Sequence, residues 1–499
     1  MAFTSGRTAN AMIYEPDFPS LLVTADRLEA QGAFAEAQRA VLDPDPETVK
    51  DLGQLLRATG IGVVAHYYMA PEIQGALLAC DWPHINISDS LVMADKAVQM
   101  AATGVKGILV LGVDFMSENV RSLLDASGHR ELPVWRAARS AISCSLAEAA
   151  ESPAYLSYLT KAAKTPRSVH VIYVNTSLTT KAAAEARLPT ITCTSANVVA
   201  TVLQCFAQIP DGHVWFGPDT YMGRNVACLL ETLVQRGDAA VRSVHPDFDA
   251  AQLSRVLSRF HYFEAGNCIV HHMFGDEVAS RVRCDYGDAL ITAHLEVPGA
   301  MFGLALEAQG LGRGVAGSTS DILRFVRDRV GDALATNAQQ RLRVVLGTEV
   351  GLVTSLVHQV QQQLAAQAGN SVSVEVIFPV ASEAIVVSDD KQLPVIPGAA
   401  TGEGCSLEGG CATCPYMKMN HIDAVIDVLT AFSRQNYDYL RGFAAARLLA
   451  SGDAQGSVQR ALQPILAMRQ FTMTHRLGDA LVQRALSKTT DTSGGAVGL

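Results

Sequence analysis

Four stations recur three times in the same order along the 499 residues, and this repeat constrains the fold more than any other feature. The first pass reads Val64-Ala-His-Tyr-Tyr, then Ser88-Asp-Ser, then Leu111-Gly-Val-Asp, then Cys144. The second reads Tyr173-Val-Asn-Thr, then Thr194-Ser, then Phe216-Gly-Pro-Asp, then Cys268. The third reads Thr292-Ala-His-Leu-Glu, then Ser318-Thr-Ser, then Leu346-Gly-Thr-Glu, then Cys414. Each pass is a polar strand end, a hydroxyl-rich loop, a strand ending in Gly, and a cysteine. His66, Asn175 and His294 lie 109 and 119 residues apart, the length of one small α/β unit each.

Between the stations, short β-branched runs alternate with Ala/Leu-rich helical stretches. The runs at 61–65, 107–111, 170–174, 190–194, 213–216, 289–293, 315–317, 343–346 and 372–378 are predicted strands. Such alternation is the pattern of parallel sheets with crossover helices. The expected fold is α/β: three repeated α/β domains with short parallel sheets, plus helical N- and C-terminal extensions. The expected boundaries are 1–58 for the N-terminal extension, 59–165, 166–285 and 286–421 for the repeats, and 422–499 for the C-terminal extension. Within 1–58, the Ala/Glu/Gln-rich stretch 28–41 is predicted helical, and Asp45-Pro-Glu opens a helix at 49–59.

Composition removes several function classes. A net charge of −10 argues against nucleic-acid binding. No run of about 18 apolar residues is present, so no membrane span is expected. The first twenty residues lack a signal-like apolar core, and Glu15 and Asp17 suit a transit peptide poorly. The expected setting is therefore reducing and cytoplasmic, where cysteines are thiols or metal ligands.

Side chains two apart on a strand point the same way. His66 with Tyr68, Tyr173 with Asn175, and His294 with Glu296 are such pairs, and in parallel α/β sheets the ligand crevice lies outside the carboxyl ends of the strands. Three domains aiming those ends at one axis would converge the pairs on one pocket. Ser90, Ser195 and Thr319 sit on loops that start helices and suit phosphate or carboxylates; taken singly, each hydroxyl reads as a helix N-cap. Cys144, Cys268 and Cys414 supply one thiolate per repeat. Three thiolates without a matched fourth ligand fit a 4Fe-4S cluster with one exposed iron, a Lewis acid able to bind a substrate oxygen and help expel water.

The spacing does not prove this ligand set. Cys411-Ala-Thr-Cys414 also reads as a redox dithiol or half a metal site, and Cys405 and Cys411 stay ambiguous. Cys80, Cys193, Cys205, Cys228 and Cys284 are read as packing residues. His271 would share a helical face with Cys268, whereas His272 is expected at the surface.

At these residues the sequence resembles the quinolinate synthases. The matching fragments are His66-Tyr-Tyr-Met-Ala-Pro-Glu-Ile-Gln, Ile87-Ser-Asp-Ser-Leu, Gly112-Val-Asp-Phe-Met, Tyr173-Val-Asn-Thr-Ser, Cys268-Ile-Val-His, Ala293-His-Leu-Glu, Gly317-Ser-Thr-Ser and Gly402-Glu-Gly-Cys with Cys414-Pro-Tyr-Met-Lys-Met-Asn. The resemblance implies condensation of iminoaspartate with dihydroxyacetone phosphate to quinolinate, phosphate and water in NAD biosynthesis. It implies three pseudo-threefold-related α/β domains with short parallel sheets around a central iron–sulfur cluster, one 4Fe-4S cluster per chain, held by Cys144, Cys268 and Cys414. It puts substrate contacts on His66, Ser90, Tyr173, Asn175, Ser195, His294, Glu296 and Thr319, with Tyr68 and His271 at further active-site positions. Proton movements then fall to His66, Tyr68, His294 and Glu296, because imine formation, isomerisation and ring closure need several acid–base steps.

The chain is longer than compact bacterial members, with longer connections before Ser195 and Thr319 and within 347–400. Ser406–Gly410 between Cys405 and Cys411 looks like the plant-type enzymes, which commonly carry a fused sulfur-transfer domain. The first 58 residues are too few for one, so separate cluster-assembly or sulfur-transfer proteins are expected partners. An aspartate-oxidising or dehydrogenating enzyme would supply iminoaspartate. A homodimer is compatible with the sequence, and plant-type resemblance makes the plastid the alternative location. The rival readings are another cluster-dependent hydro-lyase, a non-catalytic cluster carrier, and a thiol redox protein using Cys411 and Cys414.

Overall fold

A computed structural model describes residues 17–336, 339–367, 369–379, 414–447 and 454–487. Cys405 and Cys411 lie outside the described residues. The strands are β1 (Ser20–Val23), β2 (Leu28–Gln31), β3 (Ile61–His66), β4 (Ile85–Ser88), β5 (Gly107–Leu111), β6 (Val134–Arg136) and β7 (Ser168–Tyr173). They continue with β8 (Thr190–Cys193), β9 (His213–Gly217), β10 (Phe260–Tyr262), β11 (Leu290–His294), β12 (Gly314–Gly317), β13 (Gln340–Gly347) and β14 (Val372–Ile377).

They form three sheets with one topology. The orders are β4-β3-β5-β6, β8-β7-β9-β10 and β12-β11-β13-β14, with every pairing inside these sets parallel. In each set the chain leaves the first strand to one side and returns to pair on the other. This reversal is a topological switch point, where a crevice opens beyond the carboxyl ends. The first station ends the first strand and the Gly station follows or ends the third, so the two flank that crevice in all three repeats. β3 and β7 are buried at all six positions, as strands covered by helices on both faces should be.

The N-terminal extension departs from the expected helices. β1 and β2 form an antiparallel hairpin that continues the third sheet, β1 pairing with β14. The predicted helix at 28–41 splits into β2 and a helix at Ala33–Leu42. Ser20-Leu-Leu-Val supplies apolar residues to the third core, with Leu21 and Val23 fully buried. It also satisfies the backbone groups that the edge of β14 would otherwise leave open. The helix Pro46–Thr59 forms where Asp45 caps it, Thr48 N–H donating to Asp45 Oδ2 at 2.8 Å.

From 422 on, the described elements are helical. The helix Ala454–Thr474 packs on the helix Leu178–Glu185 and on β8. Gln208 anchors the turn after it, accepting from Leu477 N–H at 2.7 Å, and Arg484 pairs with Glu185. No helix among the described residues is long and apolar enough to cross a membrane. Of the cysteines read as packing residues, Cys193 and Cys205 are buried and Cys80 is partly so. Cys228 and Cys284 are exposed, because each falls on the outer face of its surface helix.

Candidate active site

The strand ends and cysteine loops of all three repeats meet at one open cavity of about 680 Å³, counted to its mouth. Of the thirteen residues singled out above, twelve line it. His271 stands just behind, in a turn at His271–Met273, fully buried against Glu296. His272 is exposed and hydrogen-bonds with Tyr221.

The two histidine strand ends share a local geometry. Tyr68 N–H donates to His66 Nδ1 at 3.1 Å, and Glu296 N–H donates to His294 Nδ1 at 3.3 Å. An Nδ1 that accepts a hydrogen bond carries no proton, so the neutral ring keeps its proton on Nε2. Burial holds both rings neutral: it lowers His66 to about 4 and His294 to about 3.

Across the repeats, the central groups bond one another. Tyr68 OH meets Thr319 Oγ1 at 2.8 Å and Thr348 Oγ1 at 3.0 Å, joining repeats one and three. Tyr173 OH donates to Glu296, joining repeats two and three. Glu118 of the first repeat accepts from Leu178 N–H at 3.0 Å, at the start of a second-repeat helix. His271 Nδ1 lies 3.0 Å from Glu296 Oε2, a close charge approach rather than an aligned hydrogen bond. Burial opposes ionisation of Glu296, but His271 outweighs it and holds the carboxyl below the usual range.

Ser90, Ser195 and Thr319 do not themselves cap helices. Asp89 caps the helix that begins at Ser90, accepting from Leu91 and Val92 N–H at 3.0 Å each. Asn197 Oδ1 accepts from Thr194 N–H at 2.8 Å, and Asp321 accepts from Ser318 N–H at 2.9 Å. Capping falls to Asp89 in the first repeat and to Ser318 in the third, whose Oγ accepts from Asp321 N–H at 3.2 Å, while Asn197 starts the second-repeat helix without a side-chain cap. The side chains of Ser90, Asn175 and Ser195 have no hydrogen-bond partner among the described residues, and all three line the cavity. Thr319 is taken by Tyr68.

Each cysteine loop is tied to a Gly station. Asp114 N–H donates to Ile142 O at 2.8 Å, and Ile142 N–H returns to Asp114 Oδ2 at 3.1 Å, fixing the approach to Cys144. Thr220 N–H donates to Gly266 O at 2.7 Å, two residues before Cys268. Asn420 bonds both backbone groups of Gly112 at 3.4 and 3.3 Å, closing the turn that begins at Cys414. Burial pushes the Cys144 thiol up to about 12 and raises Cys268 and Cys414 well above the usual thiol value, so these sulfurs suit a metal that supplies positive charge. Cys268, His271 and Glu296 also place one potential ligand atom each within 4.8 Å of one another.

Reading the sequence missed two carboxyls at the third station. Asp114, Asp219 and Glu349 occupy equivalent positions after the glycine, a signal present in the repeat. Asp114 pairs with Arg136. Among the described residues Asp219 and Glu349 have no cation opposite, and each leaves one buried carboxyl oxygen unpartnered. Burial, with Glu296 nearby, raises both well above the usual range. Glu349 lines the cavity beside Cys414.

These ionisations set an acid limit. His66, His170 and His294 have folded pKa values below the unfolded 6.5, so the unfolded chain binds more protons as pH falls from about 6.5 to 4. Glu296, depressed in the fold, loses its contribution below about pH 4.3. Stability is expected to fall by a few kcal/mol per buried imidazole across the upper window. The urea midpoint at pH 5 should lie clearly below that at pH 7; equal midpoints would mean the rings are solvated or charged in the fold.

Comparison with known proteins accords with this geometry. Residues 50–438 match the model of the quinolinate synthetase A protein family. The chain is 47% identical over 502 residues to a quinolinate synthase, chloroplastic, of Nicotiana tabacum, covering 98% of this chain and 69% of the relative. It is 48% identical over 488 residues to the chloroplastic quinolinate synthase of Arabidopsis thaliana, covering 95% and 68%. A Prochlorococcus marinus quinolinate synthase is 25% identical over 387 residues, covering 77% and 84%. The chain thus spans about two thirds of the length of the plant relatives. With the family model matched across all three repeats and nearly half the residues shared with the plant enzymes, the chain belongs to the quinolinate synthase family.

Proposed function

We propose that this chain condenses iminoaspartate with dihydroxyacetone phosphate to give quinolinate, phosphate and water, a step of NAD biosynthesis. The observation that carries the reading is the convergence of His66, Tyr68, Tyr173, Asn175, His294 and Glu296 from three repeats on one cavity that also receives three thiols. In this reading Ser90, Ser195 and Asn175 bind carboxylate and phosphate oxygens with polar groups not otherwise committed. His66 and His294 act as neutral Nε2–H donors to substrate oxygens, since cationic rings are disfavoured by burial. Glu296, ionised between Tyr173 and His271, accepts and returns protons during isomerisation and ring closure. Tyr68 is held by Thr319 and Thr348, so its hydroxyl can relay a proton without moving its ring.

Cys144, Cys268 and Cys414 would hold a 4Fe-4S cluster, which supplies a Lewis-acidic iron for the dehydrations. The Cys268, His271 and Glu296 grouping supports a second reading, a single metal ion. Iron and sulfide counting separates the two: four of each per chain for the cluster, one metal and no sulfide for the ion. The chloroplastic names of the plant relatives favour the plastid over the expected cytoplasm for this chain. Separate sulfur-transfer proteins as partners remain part of the proposal.

The test is anaerobic purification followed by incubation with the two substrates. A brown protein that forms quinolinate and releases phosphate is the expected result. Turnover of another dehydration substrate without quinolinate would establish a different hydro-lyase. Cluster transfer without turnover would establish a carrier.

A further inference from the structure

Each strand-end pair has an outer member two residues beyond the first: Tyr68, Asn175 and Glu296. The backbone around these three is held by a buried donor that the reaction itself does not need. Gln74 Nε2 donates to Tyr67 O at 2.8 Å and Met69 O at 2.7 Å, either side of Tyr68. Lys181 Nζ donates to Val174 O at 3.1 Å and to Thr176 O, either side of Asn175. Asn225 Nδ2 donates to Leu295 O at 2.9 Å and Val297 O at 2.7 Å, either side of Glu296. Gln74 and Lys181 are fully buried and Asn225 is 1% exposed. None of the three lines the cavity.

Gln74 and Lys181 each follow their target by six residues, from the helix after the strand. The same offset in the third repeat falls on Phe302, which cannot donate, and the donor there comes instead from the second-repeat helix Thr220–Arg236. One geometry reached with three residue types and two sources is not a by-product of local sequence. The two acceptors in each case are carbonyls, so an amide must present its NH2 group and a lysine its ammonium. Lys181 also donates to Thr176 Oγ1 at 3.0 Å, which donates to Tyr173 O at 3.0 Å, extending the hold to Tyr173. Gln74 reaches Gly351 O at 2.8 Å, where the third repeat crosses the Tyr68 backbone closely enough that a Cβ would sit 2.8 Å from Tyr68 Cα.

We propose that Gln74, Lys181 and Asn225 are positioning residues, each bridging the carbonyls that flank Tyr68, Asn175 or Glu296 and so fixing the direction in which that side chain enters the cavity. Burying an ammonium is costly, and burial pushes Lys181 down to about 7, yet its hydrogen bonds to the Asn175 turn are retained. A displacement of about 1 Å at a reacting group can cost on the order of 10²-fold in rate, which gives the expected scale. The inference rests on the proposed reaction, and its test is arranged so that the two fail differently.

The experiment uses cluster-loaded protein and measures kcat, KM, iron content and thermal midpoint for Lys181→Met, Lys181→Gln and Asn225→Ala. Lys181→Met is expected to raise KM by about 10-fold or more with a smaller change in kcat, because Asn175 contacts bound substrate. Asn225→Ala is expected to lower kcat by about 10²-fold, because Glu296 moves protons. Lys181→Gln, which places in repeat two the residue that works in repeat one, should recover most of the Lys181→Met loss. Iron content should be unchanged in all three. Lower thermal midpoints with kcat and KM within threefold of wild type would overturn the proposal, leaving the residues merely structural. Should Lys181→Met not fold, the kcat effect of Asn225→Ala and the KM of Lys181→Gln decide the matter by the same criteria. A wild-type protein that makes no quinolinate sinks the functional reading instead. Amide exchange then decides the clamp: it should quicken at 174–176 in the Lys181 variants and at 295–297 in Asn225→Ala, and unchanged exchange would overturn it.

Discussion

Cys414→Ser is expected to give a folded protein that holds only residual iron and forms no detectable quinolinate, with Cys144→Ser and Cys268→Ser behaving alike. The three sulfurs come from three repeats, and each is delivered by a loop tied to a Gly station, so each repeat contributes one thiol from a fixed position. A serine hydroxyl is a poor replacement for thiolate at iron. Cys414 has a further reason to matter: Glu349 accepts its backbone N–H, and Asn420 locks its turn to the first repeat. The measurements are iron and sulfide content, the visible spectrum and quinolinate formation under anaerobic conditions. Cys228→Ser, at an exposed position remote from the cavity lining, serves as the control and should stay loaded and active. Retention of four irons by Cys414→Ser would remove Cys414 from the ligand set.

Glu296→Gln is expected to lower kcat by about 10²–10⁴-fold, the range for losing one general acid–base group, with iron content unchanged. The substitution keeps size and shape and removes the charge. His271 then loses the carboxylate 3.0 Å from its Nδ1, while the amide oxygen can still accept from Tyr173. Asp219 and Glu349 are poor replacements, since burial raises both carboxyls well above the usual range and neither has a cation beside it among the described residues. Glu296→Ala is expected to be worse for folding, because it leaves Tyr173 OH and His271 buried without their partner, at a cost of about 1–3 kcal/mol or more. A Glu296→Gln enzyme within tenfold of wild-type kcat would move the proton-transfer role elsewhere, with Tyr68 the next group to examine.

How far the chain could be read in advance follows from which interactions are local. The long buried strands β3, β5, β7 and β13 announce themselves through apolar β-branched runs, and their predicted positions lie within a few residues of the observed ones. β4, β6 and β10 went unread because they have three or four residues and are only partly buried, so neither period nor length marks them. β1 and β2 were read as part of a helical extension because their defining partner, the edge of β14, lies about 350 residues away in sequence. Propensity yields to pairing there.

By itself, the sequence determined the threefold repeat, the α/β class, the strand-end pairs and the three cysteines with a reason to meet. These depend on residue order and on the fixed directions of side chains along a strand. Only the tertiary structure decided that Asp114 finds Arg136 while Asp219 and Glu349 find no cation among the described residues. It alone decided that Asp89, not Ser90, caps its helix, that His271 rather than His272 reaches Glu296, and that Asn225 crosses from one repeat to hold the Glu296 backbone of another. The reason is physical: charge state, tautomer and hydrogen-bond partner depend on what lies within about 4 Å in space, and no local pattern in the sequence marks which residue that will be, whether it stands 22 positions away, as Arg136 does from Asp114, or 70, as Leu295 does from Asn225.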